Sequence, residues 1–292
     1  SSAPMIASLS VATKRGVLIK NSKFIEELTE IDTVVFDKTG TVTVGELALV
    51  RACPVDGIGE RELLEAAASV ATASTHPVSR AVIAACEKEE KLKYQTDMSV
   101  REISGGGMEG ERGELTVRFG NRAWLSSLGY KIPAEMGKDE AGSVSFVTRN
   151  AQLLGYLCFG DTPRENAAES IAELKKIGVE RTVMLTGDRE EAAKSVCESV
   201  GIDELHAKLL PQDKLAHMQK LGGDEHRVLA VGDGINDALA LREASVGIAM
   251  GAMGSDLAIQ SADIALMNNN LMNIPFSIKL AKQTRSIIYQ NI

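Results

Sequence analysis

The chain has 292 residues, 44% of them hydrophobic, 25% charged and 4% aromatic, which suits a soluble α/β protein with one large or two medium cores. Its formal net charge of −8 excludes nucleic acid as a partner, because phosphate contacts need a basic face. The four cysteines (Cys53, Cys86, Cys158, Cys197) are widely spaced and are expected as buried free thiols in a reducing compartment. No run approaches the roughly 18 apolar residues that cross a bilayer, and the start has no signal-peptide pattern. With Ser1 where an initiating Met would stand, the expectation is a soluble, cytoplasmic fragment of a longer protein.

In chain order, residues 1–30 read as a connector. A β-branched run over 33–36 predicts a buried strand that ends on Asp37 and the turn-prone Lys38-Thr39-Gly40. Helices are predicted over 61–73 and 78–92, and antiparallel strands over 114–119, 143–148 and 153–159. A helix over 164–177 closes on Gly178, and one over 189–200 closes on Gly201. Between them, residues 181–185 form a strand entering Thr186-Gly187-Asp188, and after them 228–231 form one entering Gly232-Asp233-Gly234. Residues 271–292 read as an amphipathic helix. The fold class is therefore α/β, a doubly wound parallel sheet carrying an inserted α+β domain built on an antiparallel sheet. The parallel domain takes 31–45 and 153–270, and the insertion takes 46–152. All three acidic turns lie at the carboxyl ends of strands, where such sheets gather ligands.

Asp37 opens the run Asp-Lys-Thr-Gly-Thr-Val-Thr. A carboxylate nucleophile must be exposed, held by a tight turn and supplied with donors for phosphoryl oxygens. The backbone N–H groups of Lys38, Thr39 and Gly40 and the Thr41 hydroxyl are suited to that task. This run resembles the phosphorylation motif of P-type ATPases, a branch of the haloacid dehalogenase superfamily. The resemblance spans nearly the whole chain. It implies that Thr186, Gly187 and Asp188 form the phosphate-contacting turn and that Gly232-Asp233-Gly234-Ile235-Asn236-Asp237 is the magnesium-binding hinge. Lys214 matches the lysine that neutralises the phosphoryl group, and Asp161 and Arg164 match the hinge segment. Phosphoryl transfer is mostly positioning and charge neutralisation. Mg2+ keeps several waters and takes few protein oxygens, so Asp37, the Thr39 carbonyl and Asp233 form a suitable set, with Asn236 and Asp237 behind them.

Related phosphatases carry a second Asp two residues after the nucleophile, where this chain has Thr39. A long-lived aspartyl-phosphate follows, suited to a pump more than to a free-standing phosphatase. No Thr-Gly-Glu segment of an actuator domain is present, so the fragment alone should turn over little.

Ser74-Thr75-His76-Pro77, Gly105-Gly106-Gly107 and Gly120-Asn121 resemble the nucleotide-binding domain of the heavy-metal branch of P-type ATPases. That resemblance implies that His76 orients ATP and that Gly105, Gly107 and Gly120, with Asn121, let it approach the backbone. His76 taken alone reads as a helix-start or surface histidine. The Gly105-x-Gly107-x-x-Gly110 spacing lacks a surrounding strand–turn–helix unit, and no Walker A loop occurs. Two departures stand out: Ala71 where relatives carry a glutamate, and Leu239 where they carry proline. Ser2-Ala3-Pro4 and Thr75 favour the zinc, cadmium and lead subgroup over copper. The implied partners are ATP, the transmembrane and actuator domains of the same pump, and a cation bound outside this chain. A non-catalytic nucleotide sensor is disfavoured by the presence of Asp37, Asp233 and Lys214 together.

Overall fold

A computed structural model of the chain describes residues 3–89, 92–223, 225–234, 237–251 and 256–290. It divides into two compact units, 1–45 with 163–292 and 46–162. The amino-terminal elements are α1 (Ala3–Lys14), β1 (Val17–Ile19), α2 (Lys23–Leu28) and β2 (Thr33–Asp37). Next come β3 (Thr43–Pro54), α3 (Glu60–Ala71), α4 (Pro77–Lys88), β4 (Ser99–Ile103), β5 (Gly107–Arg112) and β6 (Leu115–Gly120). They are followed by α5 (Arg122–Ser127), β7 (Ser143–Arg149), β8 (Gln152–Pro163), α6 (Ala167–Lys176), β9 (Arg181–Leu185) and α7 (Glu190–Val200). Then follow β10 (Glu204–His206), α8 (Pro211–Leu221), β11 (Val228–Gly232) and α9 (Ala238–Glu243). The last are β12 (Val246–Ala249), α10 (Asp256–Ser261), β13 (Ile264–Leu266) and α11 (Asn273–Gln290).

The first unit holds a seven-stranded sheet in the order β1-β13-β12-β11-β2-β9-β10. Its central strand shows why the unit is doubly wound. Val34 and Phe36 face one apolar core, shared with α6, α7 and α11, while Val35 faces a second core against α8, α9 and α10. A strand buried on both faces is expected to be apolar through its middle, which is the continuous run seen over 34–36. Each such side chain contributes about 1.5–3 kcal/mol.

Residues 1–30 are not a mere connector. Leu28, Ala12 and Val17 are fully buried in the first core, and β1 joins the sheet edge antiparallel to β13. The sheet is thus parallel except at this edge. α11 packs on α1 as well, and the buried hydroxyls of Ser8 and Thr284 hydrogen-bond to each other.

The second unit is an antiparallel sheet in the order β3-β8-β7-β6-β5-β4, with α3 and α4 on one face. Leu63, Ala67 and Val82 meet Phe119, Val147 and Leu157 there. This unit ends at residue 162 and not at 152, because all of β8 up to Phe159 pairs with β7. The helix predicted over 78–92 ends at Lys88. Cys86, Cys158 and Cys197 are buried free thiols, but Cys53 is only half-buried. No helix among the described residues is long and apolar enough to cross a membrane.

Candidate functional site

In the first unit, β2 is apolar until Asp37, so the carboxylate emerges where the strand leaves the sheet. Asp37 is in register with Leu185 and Phe36 with Val231. The turns carrying Thr186 and Asp233 therefore open at the same end. Behind Asp37 the backbone reverses through Gly40 at φ +75°, a conformation that favours glycine. Arg164 clamps this reversal, its Nε and Nη2 donating to the carbonyls of Thr41 and Gly40, both at 2.8 Å. Asp161, read with Arg164 as one hinge segment, falls in the second unit.

Lys214 joins the site from the first turn of α8. That turn is fixed by Pro211 and by Asp213, whose carboxylate accepts from the Leu210 N–H at 2.9 Å. Lys214 Nζ then donates to Asp37 Oδ1 at 2.6 Å and to Asp237 Oδ1 at 2.9 Å. Lys38 is buried and spends its side-chain charge on Asp188 Oδ2 at 2.7 Å, tying the Thr186–Asp188 turn to the end of β2. Thr186 Oγ accepts from the Asp188 N–H at 3.1 Å, which leaves its own proton to donate. The Gly187 turn is held by the Thr186 N–H donating to the His206 carbonyl at 3.0 Å and the Lys208 N–H donating to that of Asp188 at 2.9 Å. Thr41 is fully buried, and its hydroxyl finds no hydrogen-bond partner among the described residues. Thr39 is exposed at the turn. Asn236 lies outside the described residues.

Charge is unbalanced here. Burial pushes Asp37 up from its ordinary 3.8 to about 7, repulsion from Asp237 and Asp233 adds to the rise, and Lys214 opposes it. Burial also disfavours the charge on Lys214, but Asp37 and Asp237 outweigh that and hold it above its usual range. Lys214 thus contacts two carboxylates, Asp37 and Asp237, with the charge of Asp233 close enough to act on Asp37, and the buried Asp237 Oδ2 has no hydrogen-bond partner among the described residues. Such a surplus fits a divalent cation. Among the described residues no three His, Cys, Asp or Glu side chains form a cage.

In the second unit a cavity of about 410 Å³ is lined by His76, Gly105, Gly107, Gly120 and Asn121. The structure thus brings together every nucleotide residue expected from the sequence. Phe119, Met108, Val78 and Ile103 supply its apolar surface. Among the described residues its lining has no Lys or Arg. His76 is the N-cap of α4, and its Nδ1 accepts from the Val78 N–H at 3.3 Å. In the neutral ring the proton then sits on Nε2 as an outward donor.

Three of these lining residues also have structural tasks. A Cβ on Gly107 would lie 2.3 Å from the Phe119 carbonyl oxygen, and one on Gly120 would lie 2.5 Å from that of Gly106. These glycines are already required by the close approach of β5 and β6, and only Gly105 borders open space. Asn121 spends both polar ends internally, its Nδ2 donating to the Gly105 carbonyl at 2.6 Å and its Oδ1 accepting from the Trp124 N–H at 2.9 Å. It positions the glycine loop.

Residues 31–245 match the family model for haloacid dehalogenase-like hydrolases. The chain belongs to the haloacid dehalogenase-like hydrolase family. Within that family it is 36% identical, over 97% of its length, to the cadmium, zinc and cobalt-transporting ATPase of Bacillus subtilis (strain 168). A crystal structure of a zinc-transporting PIB-type ATPase superposes with a TM-score of 0.86 at 37% identity, covering 99% of this chain and 47% of that one. The catalytic domain of a CPx-ATPase, studied for its changes on nucleotide binding, gives a TM-score of 0.62 at 30% identity, covering 92% of this chain and 98% of that domain. The chain spans about 40% of the Bacillus protein's length.

Some lining residues of this haloacid dehalogenase-like chain went unread in the sequence. Glu102, Ser104 and Ser145 line the cavity, and the Lys38–Asp188 pair braces the Asp37 turn. Glu102 lies on β4, a charged edge strand whose sequence carries little apolar alternation. The glycine run beside it was the only signal available. Ala71 is fully buried in α3 against the second core and contributes nothing to the cavity lining.

Proposed function

We propose that this chain is the ATP-consuming catalytic part of a P-type pump that moves a divalent heavy-metal cation of the zinc, cadmium and lead type. The observation that carries the reading is Asp37 at the carboxyl end of β2, held by Lys214 at 2.6 Å and followed two residues later by Thr39. An Asp37 carboxylate oxygen attacks the γ-phosphorus of ATP, the bond to the β–γ bridging oxygen breaks, and ADP leaves with that oxygen. Lys214 offsets charge on the transferring group, while the Thr186 and Thr41 hydroxyls and the turn N–H groups after Asp37 donate to its oxygens. Asp37, the Thr39 carbonyl and Asp233 would hold Mg2+, which when bound would supply further positive charge to the transferring group. Thr39 offers no general base, so the aspartyl-phosphate waits for hydrolysis by another domain of the same pump.

The cavity of the second unit supports ATP as the phosphoryl donor. Its apolar walls and lack of cations suit a purine, and the triphosphate stays outside. The transported ion follows from the relatives, whose names carry cadmium, zinc and cobalt, and it would bind in membrane segments beyond this chain. The pump's cytoplasmic face is the corresponding location. The test is acid-stable labelling of the full-length pump from γ-labelled ATP. Asp37→Asn should abolish labelling and keep ATP binding; a label that survives in the variant sinks the assignment.

A further inference from the structure

Among its described lining residues, the cavity in the second unit has one carboxylate, whose task the ATP reading leaves open. Glu102 stands opposite Met108 in the β4–β5 register, so the two share a face of the sheet. The Met108 sulfur accepts a hydrogen bond from Ser79 Oγ at 3.4 Å, and Ser79 lies in the first turn of the helix that His76 caps. Glu102 and His76 therefore border the same cavity, which both line. The Glu102 side chain is exposed and makes no salt bridge or side-chain hydrogen bond with the described residues.

A purine filling this cavity would rest its faces on Phe119, Met108, Val78 and Ile103. Its polar edge then needs partners. The other polar side chains of the lining are the serines Ser74, Ser104 and Ser145, the internally spent Asn121, and His76, whose Nδ1 is occupied. Ser74 Oγ already accepts from the His76 N–H at 3.1 Å. A carboxylate is an acceptor only, and the 6-amino group of adenine is a donor only. We infer that Glu102 is a specificity-determining residue that accepts a hydrogen bond from the 6-amino group of adenine in this cavity. Its negative charge also keeps the triphosphate out of the pocket and sets the nucleotide base-first.

This inference rests on the ATP reading, and its test separates the two. The probes are ATP and purine riboside 5′-triphosphate, which lacks only the 6-amino group, with binding measured by calorimetry on this chain. Native chain should bind ATP about tenfold tighter than the analogue, the scale of one charge-assisted hydrogen bond at an exposed site. Glu102→Ala should bring that ratio to about one, and Glu102→Gln, which keeps an acceptor, should leave it in between. A ratio unchanged in Glu102→Ala, or equal affinities in the native chain, overturns the inference while ATP binding itself stands. A preference for GTP that depends on Glu102 also overturns it, because a carboxylate can take the N1–H and 2-amino pair of guanine. Native chain that binds neither probe sinks the ATP reading, and the inference with it.

Discussion

The surroundings of Asp37 and the cavity beside His76 solve opposite problems. Around Asp37 one lysine bridges two carboxylates, Asp37 and Asp237, and burial makes the charges of Asp37 and Lys214 costly. Beside His76 the lining is apolar and glycine-rich, with a single exposed carboxylate. Charged chemistry needs a pre-set field, and that field is held at the expense of folding stability. A neutral base needs only shape and a few polar edges. The two regions should therefore answer differently to pH, to divalent cations and to substitution.

The largest effect is expected at Lys214. Lys214→Ala leaves Asp37 and Asp237 buried without their common cation, a change that costs about 3–5 kcal/mol in comparable buried pairs. Thermal denaturation should show a large fall in midpoint, and the double change Lys214→Ala with Asp237→Asn should recover part of it. A Lys214→Ala midpoint within a degree of the native one would mean that the field around Asp37 is already solvated.

Next in size is Gly107→Ala. The added Cβ meets backbone at 2.3 Å on a paired strand, an overpacking that costs about 3 kcal/mol. Hydrogen exchange should speed up in β5 and β6 and stay unchanged around Asp37. Equal loosening of both regions would contradict their separation into two units.

How much of this was legible beforehand follows the range of the forces involved. β2, β9 and β11 were readable because each is a short apolar run stopped by an acidic or glycine turn, a local pattern. The placement of β8 was not, since its membership depends on pairing with β7. β1 has three residues, too few for any period to show. Asp37, Lys214 and His76 were found through motifs, whereas the Lys38–Asp188 pair joins two turns far apart in sequence, and Glu102 lies on a strand that was not predicted. Long-range pairing hid the first, and the charged, weakly alternating sequence of β4 hid the second.

Asp37 also gives the comparison a pH axis. With its folded value near 7 and its unfolded value near 3.8, the folded chain keeps a proton that the unfolded chain has released. The stabilisation from that proton is whole below about pH 4 and is lost as pH rises through 7. From pH 5 to 8 without divalent cations, stability should fall by on the order of 2 kcal/mol, and Mg2+ should restore it. Asp37→Asn should flatten the pH slope and weaken the Mg2+ response. A variant with the native slope would assign the titration elsewhere.

The smallest effect is the most discriminating. His76 does two things in the fold: its ring Nδ1 caps α4, and its Nε2–H is left as a donor at the cavity. His76→Ala loses both and should weaken ATP binding about tenfold, roughly 1.4 kcal/mol. It should leave labelling of the full-length pump by inorganic phosphate untouched, because that reaction needs the groups around Asp37 and no nucleotide. His76→Asn restores a good N-cap but lacks the imidazole donor. If Asn recovers the helix without recovering ATP affinity, the ring itself contacts the nucleotide. If Asn recovers both, His76 is a capping residue, and the cavity selects its base through the apolar walls and Glu102.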